Sequence, residues 1–165
     1  MLLAVISDTH LPRGARALPE ACVERLRSAE LVLHAGDLVT AEVLADLRAL
    51  GRPVAGVHGN VDDDEVRRLL PSARMVQVAG ARIAMVHDGG AAAGRLPRLR
   101  RRFPDADAVI FGHSHIPLHE TDPATGFQIF NPGSPTDRRR QPTHTMGLAR
   151  IGEDGAVAFE LIDLG

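Results

Sequence analysis

Five short apolar runs in this chain stop at side chains that can bind a metal, and this pattern restricts the fold more than any other feature. The runs end Ile6-Ser7-Asp8-Thr9-His10, Leu33-His34-Ala35-Gly36-Asp37, Val57-His58-Gly59-Asn60, Met85-Val86-His87 and Phe111-Gly112-His113-Ser114-His115. Continuous short apolar runs fit strands buried on both faces, as in parallel sheets. The carboxyl ends of parallel strands lie along one edge, so donors spread through the sequence can converge there. Alternation along an extended chain keeps residues i and i+2 on one side, which lets Asp8 with His10, and His113 with His115, present two donors to one place. Gly36, Gly59 and Gly112 remove side chains where backbone, ions and phosphate would crowd.

The spacing predicts strands over Leu2–Ile6, Leu31–His34, Val54–Val57 and Ala108–Phe111. Apolar residues three and four apart predict helices over Pro19–Ala29 and Thr40–Leu50, with Thr40 as N-cap and Gly51 and Pro53 stopping the second. Alternating strands and helices imply right-handed crossovers and a mostly parallel sheet. Further on, Met75–Val86, Glu120–Ile129 and Leu148–Ile162 are broken by Ala79-Gly80, Pro123-Ala-Thr-Gly126 and Gly152-Glu-Asp-Gly155, and each reads as a β-hairpin. The expectation is an α/β fold of two facing sheets, one more parallel and one more antiparallel, with helices outside. With 165 residues, 44% of them hydrophobic, residues 1–165 are expected to form a single domain around a real core.

A net charge of -2 gives no global drive toward nucleic acid or anionic membrane, and all 19 basic residues are arginine. The arginines at 95, 98, 100, 101 and 102 read as a solvated helix face, and Arg138–Arg140 as a charged loop. Aromatic residues make up 3% of the chain, without Trp or Tyr, so base-stacking platforms are scarce and nucleic-acid binding is not expected. The start lacks the basic region of a signal peptide and no apolar stretch approaches membrane-spanning length, so no membrane contact and a cytoplasmic location are expected. The lone Cys22 reads as a packed thiol in a helix. His34, His119 and His144 read as core histidines bonded to backbone.

Seven donors remain: Asp8, His10, Asp37, Asn60, His87, His113 and His115. They mix hard oxygen with imidazole nitrogen and include no thiolate, which suits Mn, Fe, Zn, Co or Ni better than calcium. Seven exceed the needs of one tetrahedral ion and fit two ions sharing a bridging carboxylate. At the roughly 3.5–4 Å spacing of two-metal hydrolytic sites, such ions activate a bridging water and stabilise charge in an in-line displacement at phosphorus.

The ordered blocks Asp8-Thr-His10, Gly36-Asp37, Gly59-Asn60-Val-Asp62, His87, Gly112-His-Ser-His115 and Asn131-Pro-Gly-Ser134 resemble the calcineurin-like metallophosphoesterases, in particular the small uncapped YfcE-type phosphodiesterases. The resemblance implies a four-layer α/β sandwich of two facing mixed β-sheets flanked by helices. It also implies that Asp8, His10 and His115 hold one metal, that Asn60, His87 and His113 hold the other, and that Asp37 bridges them. Two divalent ions, Mn first, with Ni, Co, Fe or Zn as alternatives, would be the cofactors.

Two departures stand out. Larger members carry His directly after the Gly-Asn pair, where this chain has Val61, so a leaving-group acid is missing there and diesters with good leaving groups are favoured. Small members place Gly after the histidine that aligns with His87, where this chain has Asp88. The expected function is a metal-dependent phosphodiesterase acting on a small diester by attack of a metal-bridging hydroxide, with Asp37, Asn60 and His113 as its catalytic residues. Its alternatives are a catalytically silent protein-binding scaffold, like the retromer subunit that resembles this family, and a phosphomonoesterase. A homo-oligomer is compatible with the sequence. His58 could touch substrate phosphate or support the site from behind. Asp62 is expected to orient a ligand or to cap the helix beginning near Asp63. Asn131-Pro-Gly-Ser134 is expected to form a tight turn supporting the metal edge.

Overall fold

The computed structural model describes residues 1–165. Its strands are β1 (Leu2–Ile6), β2 (Leu31–His34), β3 (Val54–Gly56), β4 (Ala73–Val78), β5 (Ala81–Val86), β6 (Ala108–Ile110), β7 (Leu118–Thr121), β8 (Gln128–Asn131), β9 (Thr145–Ile151) and β10 (Val157–Asp163). Its helices are α1 (Glu20–Ser28), α2 (Ala41–Ala49), α3 (Asp64–Leu69) and α4 (Arg95–Arg102). The expected strands end one residue early at β3 and β6. Even so, Val57 N still donates to His34 O and Phe111 N to Phe130 O, so the ladder bonding runs on to both predicted ends.

One sheet has the order β10-β9-β1-β2-β3 and the other β4-β5-β6-β8-β7. In the first, β1–β2 and β2–β3 are parallel while β1–β9 and β9–β10 are antiparallel. In the second, β5–β6 and β6–β8 are parallel while β4–β5 and β7–β8 are antiparallel. Both sheets are therefore equally mixed, which corrects the expectation of one more parallel and one more antiparallel. The cause is the last hairpin, which returns to pair beside β1 and buries Met146, Leu148 and Ala149 there.

The sheets face each other across Leu3, Val5 and Leu33 on one side and Ile83, Met85, Ile110 and Phe130 on the other. The outer face of the first sheet buries Ala4, Ile6 and Val32 against α1, α2 and α3, through Cys22, Leu26, Leu44, Leu47 and Val66. The outer face of the second buries Ala84, Val109 and Ile129 against Leu99 of α4. Each central strand thus has apolar contacts on both faces, which explains its unbroken apolar sequence. The result is a four-layer α/β sandwich. The Cys22 thiol is buried in the α1 layer, and burial pushes its pKa up to about 12.

The helix ends differ from expectation in two places. Thr40 occupies the N-cap of α2, but its hydroxyl makes no capping bond. The cap of α3 is Asp63, whose carboxylate accepts from Val66 N at 2.8 Å, and not Asp62. Acidic Asp64 and Glu65 in its first turn and Arg67 and Arg68 in its last complement the helix dipole.

Candidate metal centre

The carboxyl ends of β1, β2, β3, β5 and β6 meet at one edge of the sandwich, and the seven predicted donors meet with them. Asp8, His10 and His115 form one group, and Asp37, His87 and His113 a second, with the donor atoms of each group within 4.8 Å of one another. Asp37 Oδ2 lies 3.1 Å from His10 Nε2 and 3.2 Å from His87 Nε2, and so joins the two groups. Asn60 Oδ1 completes the second group, 3.1 Å from His87 Nε2 and 2.9 Å from His113 Nδ1.

The route to this convergence corrects the strand-alternation reading. Asp8, His10, Asp37, His113 and His115 all have left-handed backbone, with φ of 55°, 45°, 62°, 68° and 58°. Each costs about 1 kcal/mol relative to ordinary backbone. The chain is therefore turning where these side chains leave it, and His113 and His115 diverge into different groups instead of sharing one. Hydrogen bonds hold the turns. Asp8 N donates to Gly36 O, His10 N to Asp37 O, and His113 N to both Asp8 carboxylate oxygens at 3.1 and 3.0 Å.

Glycine is required at several places in this packing, two of them against the donor carboxylates. A Cβ on Gly59 would fall on the Asp37 carboxylate, and one on Gly112 would fall on Ser7 Oγ and the Asp8 carboxylate.

The histidine tautomers are set from behind. His87 Nδ1 donates to Ala35 O at 2.8 Å, and His115 Nδ1 donates to Asp137 O, which turns each Nε2 toward the carboxylates. His10 Nδ1 stands 3.3 Å from the Asp137 carboxylate, which turns its Nε2 toward Asp37. His115 Nε2 is fully buried and makes no hydrogen bond, 3.3 Å from Asp8 Oδ1. A buried nitrogen aimed at a carboxylate oxygen without a bond between them is the arrangement a cation resolves, so these residues fit a metal ion.

The electrostatics agree with that fit. Burial alone would raise the Asp37 pKa, but hydrogen bonds from His10 and His87 hold it well below the usual carboxylate range. Burial disfavours charged His87 and His115, yet the Asp37 and Asp8 carboxylates beside them raise both pKa values. The centre attracts positive charge.

Around it, Asp62 accepts from Asp37 N at 3.1 Å, Val39 N at 2.7 Å and Gly59 N at 2.6 Å, locking the Asp37 loop to the Gly59-Asn60 loop. Of its two expected roles, orienting the ligands is the one its contacts support. His58 is half-buried, 3.3 Å from Gly59 O through Nδ1, and joins neither donor group. Arg67, which sequence reasoning did not single out, donates to Asp62 O and Asn60 O at 2.8 and 2.9 Å.

Ser7, Ser134 and Asp137 were also missed as individual contributors. Ser7 Oγ donates to Asp8 Oδ2 at 2.7 Å, and Ser134 Oγ donates to Asp8 O at 2.8 Å. The Asn131-Pro-Gly-Ser134 turn thus supports the centre as expected, and Asn131 Nδ2 adds a 3.0 Å bond to Gly112 O. The only signal for Asp137 was its place just after that turn.

Three surface or core readings need correction, and a fourth holds. Arg95 and Arg98 are not a free solvated face: Arg95 donates to Gly90 O, and Arg98 to the carbonyls of Gly89, Ala91 and Ala93. They latch the loop after His87, in which Asp88 accepts from Gly90 N at 2.7 Å. His34 is a fully buried core histidine as expected, bonded to Gly36 N and Thr9 Oγ1. His119, in contrast, is exposed on β7, bonded to Gln128 and edge-on to Phe130 and Phe159. His144 is half-buried and bonded to Gly165 O.

Residues 1–154 match the model of the calcineurin-like phosphoesterase superfamily domain. A probable metallophosphoesterase of Methanothermobacter thermautotrophicus is 36% identical over 156 residues, 93% of this chain and 88% of the relative. Among solved structures, protein TM1076 of Thermotoga maritima is 29% identical with a TM-score of 0.76, covering 99% of both chains. Vps29 of Entamoeba histolytica, solved in complex with Zn2+, is 26% identical with a TM-score of 0.76, covering all of both chains.

Proposed function

Because this chain belongs to the calcineurin-like phosphoesterase superfamily, we propose that it hydrolyses phosphodiesters with two divalent metal ions. The observation that carries this reading is Asp37 Oδ2, placed 3.1 Å from His10 Nε2 and 3.2 Å from His87 Nε2 between two donor groups. Asp8, His10 and His115 would hold one ion, Asn60, His87 and His113 the other, and Asp37 both. The ions would supply Lewis-acid chemistry, acidifying water and neutralising phosphoryl oxygens. Manganese is the first choice by resemblance to the family, and the donor set suits Ni, Co, Fe and Zn as well; the Zn2+ in Vps29 of Entamoeba histolytica supports metal binding by this fold.

The protein's own part is orientation. Asp8, Asp37, His87 and His115 are buried while Asn60 and His113 are exposed, so substrate would approach from the Asn60 and His113 side. Val61 offers no proton to the leaving group, so water must supply it, which favours diesters with stable leaving groups over monoesters. Residues 1–165 acting as one domain in the cytoplasm, on a small substrate, complete the reading. No helix is long and apolar enough to cross a membrane.

The test is release of 4-nitrophenolate from bis(4-nitrophenyl) phosphate by chelator-stripped protein, with Mn, Ni, Co, Zn or Mg restored singly. Metal-dependent turnover, lost in Asp37→Ala and faster than on 4-nitrophenyl phosphate, is expected. Faster monoester turnover would make the protein a monoesterase. Two bound ions without turnover on either ester would point to a protein-binding scaffold.

A further inference from the structure

Arg139 is set apart from the other arginines by its backbone. Eight non-glycine residues have left-handed backbone. Five are the candidate ligands Asp8, His10, Asp37, His113 and His115; Ala79 turns the β4–β5 hairpin, and Val39 is bonded to Asp62. The eighth is Arg139, with φ of 49°. Left-handed backbone at a bulky residue is uncommon and collects at functional sites.

The loop that carries Arg139 is tied to the first donor group. Ser134 Oγ donates to Asp8 O and accepts from Asp137 N at 2.8 Å, and Asp137 in turn meets His115 through its carbonyl and His10 through its carboxylate. Two residues later stands Arg139, exposed. Arginine–carboxylate pairs in this protein involve Arg27, Arg82 and Arg150. Arg138 folds back onto Gln141 O, whereas the Arg139 guanidinium has no partner. A planar, permanently charged fork without a partner, two residues from the contacts of Asp137 with His10 and His115, suits a phosphate bound bidentately.

We propose that Arg139 determines specificity by binding a second phosphate group of the substrate, so that the preferred diester carries a further phosphoryl group beyond the scissile one. This rests on the phosphodiesterase reading. The scissile phosphoryl would meet the donor groups and their ions, whereas a second phosphate beyond them needs a cation from the protein, which Arg139 supplies.

Two probes with one leaving group test it: the 4-nitrophenyl ester of thymidine 5′-monophosphate, and the same ester bearing a 3′-phosphate. In the metal-loaded protein the 3′-phosphate is expected to raise kcat/KM about tenfold, mainly through KM, one charge-assisted contact's worth. Arg139→Gln is expected to bring this ratio close to one, and Arg139→Lys to leave it intermediate; the ratio cancels any general change in activity. A ratio near one in the unaltered protein, or an unchanged ratio in Arg139→Gln, overturns the proposal. If neither ester is cleaved with any metal, the phosphodiesterase reading fails, and calorimetry still decides on Arg139. Thymidine 3′,5′-bisphosphate binding about tenfold tighter than thymidine 5′-monophosphate, with the difference lost in Arg139→Gln, supports its role; equal affinities overturn it.

Discussion

His115 donates its Nδ1 hydrogen to the carbonyl oxygen of Asp137, which leaves His115 Nε2 buried, without a hydrogen bond and 3.3 Å from Asp8 Oδ1. The same residue places its carboxylate 3.3 Å from His10 Nδ1, so Asp137 steers two nitrogens of one donor group. Any substitution keeps the backbone carbonyl, so Asp137→Asn isolates the carboxylate's part. The expected outcome is metal affinity about tenfold to a hundredfold weaker at the Asp8–His10–His115 group, with the second group little changed. Manganese titration followed by calorimetry reads both affinities, and two unaltered affinities would show that the carboxylate steers nothing.

Gly112→Ala should damage folding and site together. Its new Cβ would fall on Ser7 Oγ and the Asp8 carboxylate, both fully buried, so neither can move aside without breaking the bonds from His113 N and Ser7 Oγ. A loss of about 1–3 kcal/mol is expected from overpacking of this kind, together with loss of metal binding. Gly14→Ala is the control, since nothing lies within 4 Å of a Cβ there. Urea unfolding of the metal-free proteins should separate the two variants; equal midpoints would mean that the Gly112 turn relaxes freely.

The donors were legible because they close apolar runs, and a run buried on both faces has to be a strand whose end lies at the sheet edge. The parallel strands and the three hairpins followed from the same alternation of runs and turns. Sheet membership of the last hairpin was not legible, because Leu148–Ile162 could pair with either sheet's edge until β1 was found to have a free side. The contacts behind the donors were illegible for a different reason. Arg67, Arg98 and Asp137 act through backbone carbonyls or through a histidine far away in sequence, and a charged residue in a loop or on a short helix reads the same whether it faces water or a carbonyl.

Arg98→Ala should loosen the loop that follows His87. Arg98 donates to three carbonyls, those of Gly89, Ala91 and Ala93, and its removal leaves them to water while freeing a segment of glycine and alanine. Hydrogen bonds from a charged group are each worth about 1.5–3 kcal/mol at most, and partial exposure puts the expected total for all three near the low end, about 2 kcal/mol. Amide hydrogen exchange should accelerate across residues 89–94 ahead of the rest of the protein. Arg98→Lys should fail to restore protection, because one ammonium cannot reproduce the fork that spans three carbonyls. Uniform exchange in all three proteins would show that the loop holds itself.

His34 should give stability a measurable dependence on pH. It is fully buried between Thr9 Oγ1, to which its Nε2 donates at 3.2 Å, and Gly36 N, which donates to its Nδ1 at 3.1 Å. A second proton on Nδ1 would face the Gly36 N–H and break that bond. Burial accordingly pushes the His34 pKa from 6.5 down to about 4, against the pull of Asp62 and Asp8. Because the folded value is the lower one, the unfolded chain takes up a proton as pH falls below 6.5 while the folded protein refuses it until about 4. Stability from this group is therefore complete above pH 6.5, lost progressively between 6.5 and 4, and flat below. Across that window the loss amounts to about 3 kcal/mol. Other carboxylates titrate in the same range, so the quantity to measure is the difference between the protein and His34→Gln, whose amide offers an acceptor to Gly36 and a donor to Thr9 but no titration. Urea unfolding of both in the presence of chelator should give curves that converge as the pH is lowered, the variant losing less stability. Parallel curves over the whole range would mean that folding leaves the His34 pKa at its unfolded value, with the Gly36 bond made some other way.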